Sequence, residues 1–361
     1  MTSPTRTPTS ATWAALAVGL ALVLLPFAAE LAGNAWVRIL CFALLYIMLA
    51  LGLNIVVGYA GLLDLGFVAF YAVGAYVYAL LTSPHLLEQF PALAAAFPHG
   101  FSLPVWLLLP LCAAVAALFG LLLGFPVLRL RGDYLAIVTL GFGEIIRIFM
   151  NNLNAPINLT NGPQGITGIE PLALAGHSMS KGLSLGPVSL NPLVLHYFVF
   201  LALAVLLLIV SIRLQQSRIG RAWMAIREDE TAAKAMGIPT RTIKLLAFAL
   251  GASFGGIAGA LFSAFQGFVS PESFGLMESI VIVAMVVLGG MGNVWGVVMG
   301  AVLLYAIPEA LRHFAEPAQF WLFGQELVAP EALRMLLFGS SMVLIMLLRP
   351  RGLLMPRGTK A

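Results

Sequence analysis

Long apolar runs separated by short polar segments set the pattern of this chain. Runs of mostly apolar residues fall at 11–29, 36–57, 66–82, 103–127, 134–150, 193–212, 243–266, 276–291, 294–311 and 332–349. A helix needs about 20 such residues to cross a hydrocarbon layer of about 30 Å. The pattern predicts an all-α polytopic integral membrane protein with about ten transmembrane helices. Eight or nine helices with re-entrant pieces fit as well, because the third run is short and only residues 289–293 split the eighth from the ninth. The expected organisation is a short tail over 1–10, one transmembrane domain over 11–350 and a second tail over 351–361. The first run is not followed by a small-residue cleavage site, so a retained span is expected and not a signal peptide.

Composition sharpens this class. Of 361 residues, 61% are apolar and 9% charged, with a mean hydropathy of +0.99. A soluble domain carries about 25% charged residues, so this chain cannot cover a water-facing surface, and soluble-enzyme and nucleic-acid-binding roles are set aside. The net charge of +4 matters less than where the basic residues lie. With the N-terminus inside and ten alternating spans, the inner segments hold Arg6, Arg129, Arg131, seven basic residues between Arg213 and Lys244, and Arg349, Arg351, Arg357 and Lys360. The long loops at 83–102 and 151–192 contain only Lys181. Both termini are therefore expected in the cytoplasm. Cys41 and Cys112 lie in apolar runs and are expected as buried thiols.

Two features bear on helix packing and symmetry. Gly251, Gly255 and Gly259, then Gly292, Gly296 and Gly300, repeat at four-residue spacing, and Gly120 with Gly124 forms a shorter pair; small residues at this spacing let helix backbones approach in lipid. Ten spans with both ends inside split into halves of five of opposite topology. Gly58 and Gly66 bracket one interrupted segment, and Gly267 and Gly275 bracket another with the same spacing. Such corresponding interruptions point to an inverted repeat and a transport pathway.

No catalytic constellation is legible. The five histidines lack metal-ligand spacing, and no lysine follows a glycine, which excludes a Walker A loop. The long charged stretch 213–242 is different. Ile219, Trp223 and Ile226 fall on one helical face, Glu230 and Lys234 are spaced for an i,i+4 pair, and Gly237 with Pro239 forms a helix stop. This predicts a short amphipathic helix over 218–237, either lying on the membrane lipid or docking a cytoplasmic partner. Glu144 and Arg147 share one face of the fifth span, as a structural pair or a polar pathway lining. Asn54, Thr139, Glu278 and Glu309 are weaker members of that set.

Several runs carry a family resemblance. They include Gly52-Leu-Asn-Ile-Val-Val-Gly-Tyr-Ala-Gly-Leu-Leu-Asp-Leu-Gly66, Phe70 to Tyr76, Gly124 to Glu144, and Gly162-Pro-Gln-Gly165. Further along come Gly220-Arg-Ala-Trp223, Arg227-Glu-Asp-Glu230, Gln266 to Ser273, Val287 to Gly292 and Arg349 to Leu354. Over about residues 45–355 the chain resembles the LivM-type permease subunits of branched-chain amino acid ATP-binding cassette importers. The resemblance implies a subunit of the bacterial cytoplasmic (inner) membrane that pairs with a homologous second permease. It also implies two cytoplasmic ATPase subunits and a periplasmic or lipid-anchored amino-acid-binding protein. ATP and Mg would be bound by the ATPases, leaving no cofactor or metal in this chain.

The segment around 218–237 is similar to the loop by which importer permeases engage their ATPases, although Thr231 separates the acid from the alanine pair. The docking residues so implied are Arg218, Gly220, Arg221, Trp223, Arg227, Glu228, Asp229, Glu230, Ala232, Ala233 and Gly237. The candidate translocation pathway comprises Asn54, Gly58, Gly61, Gly66, Thr139, Glu144, Gly289 and Gly290. The same architecture carrying urea or short amides is the nearest alternative. An ion-coupled secondary transporter using Glu144 or Glu278 is another, and a membrane enzyme is disfavoured for want of paired acids.

Overall fold

The computed structural model describes residues 10–97, 101, 103–130, 132–174, 177–179, 182–185 and 188–323, together with 336, 339–340, 343, 347 and 353–354. Arg6, Arg131, Lys181, the charged residues from Arg349 onward and most of the run 332–349 lie outside the described residues. Nine of the ten apolar runs fall on helices. These are α1 (Ser10–Ala32), α2 (Asn34–Leu53), α3 (Val68–Thr82), α4 (Val105–Val127), α5 (Asp133–Asn152), α6 (Pro192–Gln216), and then, after the charged stretch, three more. The stretch itself folds as α7 (Arg218–Glu228) and α8 (Glu230–Ala235), followed by α9 (Thr240–Gln266), α10 (Leu276–Gly289) and α11 (Val294–Phe323). Among the described residues, five helical segments are both long and apolar enough to span a bilayer, α2 counted with its π-helical extension and α10 with the turn from Pro271; three further apolar helices are shorter.

The second run does not end as a regular helix. From Asn54 to Tyr59 it widens into a π-helix, and residues 60–67 then run without helical structure into α3. Such widened turns are rare and concentrate at functional sites.

Helix α9 is the centre of the bundle, packed on α4, α3 and α2. Its glycines make this approach possible. A β-carbon at Gly259 would meet the Ala75 nitrogen of α3 at 2.7 Å, and one at Gly251 would meet the Gly52 carbonyl oxygen of α2 at 3.0 Å. Gly120 of α4 faces Ala252 in the same way. The second glycine series differs from expectation. Gly292 sits at φ +87° in the turn before α11, so only Gly296 and Gly300 pack there, against Gly289 and Met285 of α10. Cys41 and Cys112 are buried free thiols.

Large apolar side chains also face outward: Trp106 and Leu122 on α4, Leu206 and Ile209 on α6, Ile137, Ile148 and Phe149 on α5. A monomeric soluble protein does not expose such continuous apolar surface; a bilayer solvates it.

The connections gather at two ends. At one, the π-helical turn, the α7–α8 segment, the α10–α11 turn and residues 353–354 meet. At the other, Ile166–Thr167 pairs antiparallel with Phe268–Val269, the Tyr78 hydroxyl donates to the Glu170 carbonyl at 3.2 Å, and Asn191 bonds Asn34 at 2.9 Å. Of the two glycine-bracketed segments, Gly58 lies at the first of these ends and Gly267 at the second, while their far portions, at Leu65 and Phe274, border one cleft. They differ in form, since the acid of the first (Asp64) is buried and that of the second (Glu272) is exposed.

Candidate docking hairpin and broken helix

The charged stretch is not one helix over 218–237. Asp229, in extended backbone, ends α7, and its carboxylate accepts hydrogen bonds from the backbone of Thr231 at 2.7 Å and Ala232 at 3.0 Å. An aspartate that satisfies the first free amides of a helix is a strong start signal, so the segment becomes a helical hairpin. Ser217 caps α7 in the same manner through the Gly220 amide. Gly237, at φ +83°, turns the chain out of α8.

One face of α7 is inserted into the bundle. Trp223 is fully buried, its indole N–H donates to the Ile243 carbonyl of α9 at 2.6 Å, and its ring stacks on Tyr59 of the π-helix with centroids 6.4 Å apart. Ile226 and Ala233 are buried beside it. Gly220 is pressed against the last turn of α6, where a β-carbon would lie 2.6 Å from the Gln215 carbonyl oxygen. Glu230 reaches across the hairpin to the buried Lys244 of α9 at 2.8 Å, a partner the i,i+4 spacing did not indicate. Trp223, Gly220, Ala233 and Glu230 therefore fix the hairpin to the membrane helices. Arg218, Arg221, Glu228, Asp229 and Ala232 face outward, with Gly237 at the exposed turn. Met236, at 83% exposure, stands beside them. It escaped the sequence reading because methionine in so apolar a chain gives no contrast.

Arg227, expected among the docking residues, is exposed as a residue, yet its guanidinium turns inward and donates to the Gly58 carbonyl at the π-helix, which sets it apart from the outward docking set. Asn54, wholly buried, accepts from the Gly292 amide at 2.9 Å, and Gln215 donates to the Gly292 carbonyl at 3.0 Å. Gly58 lies against Gly292, 2.6 Å from where a β-carbon would stand, and Gly61 lies against Arg227. Gln215 and Gly292 thus join this cluster; Gln215 carried no charge or motif that marked it, and Gly292 was marked only within a helix-packing series and a family run.

Of the remaining pathway residues, Gly66 packs directly on α5 at Thr139 and Gly143. The Leu65 peptide is held from both sides: Thr139 accepts its N–H at 3.0 Å and Ser279 donates to its carbonyl. Non-helical backbone inside an apolar bundle requires such partners. Asp64 is buried and accepts from the Gly66 amide at 2.9 Å. Gly289 is a packing glycine between α10 and α11, and Gly290, at φ +109°, begins the turn. Glu144 borders a cleft of about 90 Å³ with Leu65, Val68, Leu140, Gly143, Phe274, Leu276 and Ser279, none of them another of the pathway candidates. It pairs with Arg147, whose Nε lies 3.1 Å from both carboxylate oxygens. No group of histidines, cysteines and acids able to hold a metal occurs among the described residues.

Comparison with known proteins agrees with this geometry. A family model described as branched-chain amino acid transport system / permease component matches residues 35–346. The chain is 44% identical over 332 residues to the high-affinity branched-chain amino acid transport system permease protein LivM of Escherichia coli K12, covering 88% of this chain and 69% of that protein. It is 28% identical over 330 residues to the probable branched-chain amino acid transport permease protein LivM of Methanocaldococcus jannaschii, covering 86% and 90%. It also matches the permease protein LivH of the same E. coli system at 27% identity over 273 residues, covering 74% and 81%. No solved structure matches the chain. The chain belongs to the family of permease components of branched-chain amino acid transport systems.

Proposed function

We propose that this chain is a transmembrane subunit of an ATP-binding cassette importer that moves leucine, isoleucine and valine across the bacterial cytoplasmic membrane. It works beside a homologous second permease, two ATPase subunits and an amino-acid-binding protein outside. Similarity to both LivM and LivH of one system supports two related permeases in the assembly. The end of the bundle that carries the α7–α8 hairpin is the cytoplasmic one, because the basic residues cluster there. Ten spans, inverted halves of five and two inner termini complete this arrangement. ATP and Mg stay with the ATPases, and this chain contributes no catalytic group.

The observation that carries the reading is the hairpin itself. It is anchored by a buried tryptophan and by the pairing of Glu230 with the buried Lys244, yet presents Arg218, Arg221, Glu228, Asp229 and Met236 outward. A helix resting on lipid would bury its apolar face in headgroups; here that face is already taken by the bundle, and the outward residues remain for a protein partner.

The conduit runs along α5 and α10. Glu144 stands eleven residues into α5, about 16 Å along its axis at 1.5 Å per residue. A charged group at that depth costs about 2.5–3.5 kcal/mol when it faces lipid. The outer faces of α4 and α6 carry no such pair among the described residues. The patch around the Glu144–Arg147 pair therefore meets water or the second permease, while the exposed Ile137 and Phe149 of the same helix remain available to lipid.

The test is Arg221→Ala with Glu228→Ala in the co-expressed importer. Loss of ATPase copurification together with loss of leucine uptake is expected. Normal assembly and uptake would remove the docking assignment. Competition by urea or acetamide, but not by valine, would transfer the machine to the other cargo.

A further inference from the structure

We propose that Arg227 is a positioning residue that couples the docking hairpin to the broken second helix, so that α7 and the segment 58–61 move as one unit when the ATPases close. The inference rests on the importer reading. It begins from three segments that converge on one point. Arg227 of α7 donates to the Gly58 carbonyl. Asn54, four residues earlier on the same π-helix, accepts from the Gly292 amide at 2.9 Å. Gln215, at the end of α6, holds the Gly292 carbonyl at 3.0 Å.

Geometry makes the Arg227 contact specific. A β-carbon at Gly61 would lie 2.7 Å from Arg227 Cγ, and one at Gly292 would lie 3.0 Å from its Nη1. The arginine stem thus lies against Gly61 and its guanidinium against Gly292, two glycines at positive φ (+68° and +87°). A π-helical turn leaves carbonyls poorly matched to the regular helical ladder, and Gly58 supplies one of them to the guanidinium. Beyond Gly61 the chain reaches Leu65 and Gly66, which Thr139 and Ser279 hold against the cleft beside Glu144. The chain from Arg227 to that cleft is therefore continuous over only a few residues. Trp223 anchors the hairpin to α9, the centre of the bundle, whereas Arg227 grips a span that ends in a π-helix and not in a regular turn. Of the two attachments, the second is the one able to carry displacement toward the conduit.

The experiment uses the whole importer in proteoliposomes with leucine outside, reading both ATP hydrolysis and leucine uptake. Arg227→Ala is expected to keep its ATPase subunits and hydrolysis while uptake per ATP falls about tenfold, within the range of ordinary coupling between sites. Gly61→Cys with Arg227→Cys supplies the converse, because a β-carbon at Gly61 would stand 3.2 Å from that of Arg227, just inside the separation of about 3.5–4.5 Å that a disulfide takes, so a small outward shift of the loop admits the bridge. The reduced pair should be uncoupled like Arg227→Ala, and the oxidised pair should recover uptake per ATP. Gly61→Cys alone controls for strain at residue 61. An unchanged ratio in Arg227→Ala, loss of the ATPases from that variant, failure of the pair to cross-link, or an oxidised pair that stays uncoupled would each overturn the proposal. A wild-type importer that takes up no leucine with ATP would instead overturn the importer reading.

Discussion

Replacement of Trp223 by alanine tests how the docking hairpin is held. A buried tryptophan removes about 150–250 Å² from solvent, which at about 25 cal/mol per Å² amounts to roughly 4–6 kcal/mol. Extended-chain references overstate this area, and measured Trp→Ala losses of about 3–5 kcal/mol are the better guide. The hydrogen bond from the indole to Ile243 adds about 1 kcal/mol. A loss near 4 kcal/mol corresponds to about a thousandfold rise in local opening. The rest of the bundle does not depend on this ring, because α9 packs mainly on α4, α3 and α2. Amide hydrogen exchange of residues 218–235 should therefore accelerate by about three orders of magnitude, while the centre of α9 stays protected. Trp223→Phe keeps a ring against Tyr59 and loses the N–H donor, so its effect should be about fivefold. Equal protection of 218–235 in the wild type and Trp223→Ala would refute the anchoring role.

The remaining predictions concern other contacts. Glu230→Ala leaves the buried Lys244 ammonium without its carboxylate and should cost about 2 kcal/mol, whereas Glu230→Ala with Lys244→Met should cost less; thermal unfolding in detergent gives the order of the two. Gly259→Val drives a side chain into Tyr71 and Ala75 and should destabilise by about 1–3 kcal/mol or more, seen as loss of the monodisperse peak in size-exclusion chromatography. Glu144→Gln should reduce leucine uptake while copurification of the ATPases stays at the wild-type level. Uptake equal to wild type would remove Glu144 from the conduit.

Period and length marked the helices well. Nine apolar runs became helices because about twenty apolar residues in succession have one low-energy arrangement in lipid, with every backbone group bonded within the segment. The buried face of α7 was equally legible in Ile219, Trp223 and Ile226. Its division at Asp229 had a local signal, an N-cap aspartate followed by Thr231 and Ala232, but the continuing helical pattern ran through it. The π-helical turn had none. It depends on Asn54 meeting Gly292 and on Gly58 meeting Arg227, contacts between residues far apart in sequence. Glycines proved ambiguous for the same reason: Gly66 and Gly289 mark close backbone approach, and only the partner helix distinguishes a packing glycine from a pathway one. The Glu230–Lys244 pair was not legible from local spacing, because it forms only when the turn at Gly237 folds α9 back beneath the hairpin.

Residues 353–354 bear on the order in which the bundle locks. The Leu353 amide donates to the Leu288 carbonyl at 2.9 Å, and Leu354 bonds Gly289 at 3.3 Å, beside the turn that supports Asn54. During synthesis this stitch forms only after residues 353–354 have left the ribosome, long after α2 and α10 have been made. The α10–α11 turn therefore gains this clasp late, and the broken end of α2 that leans on it is set after the spans themselves.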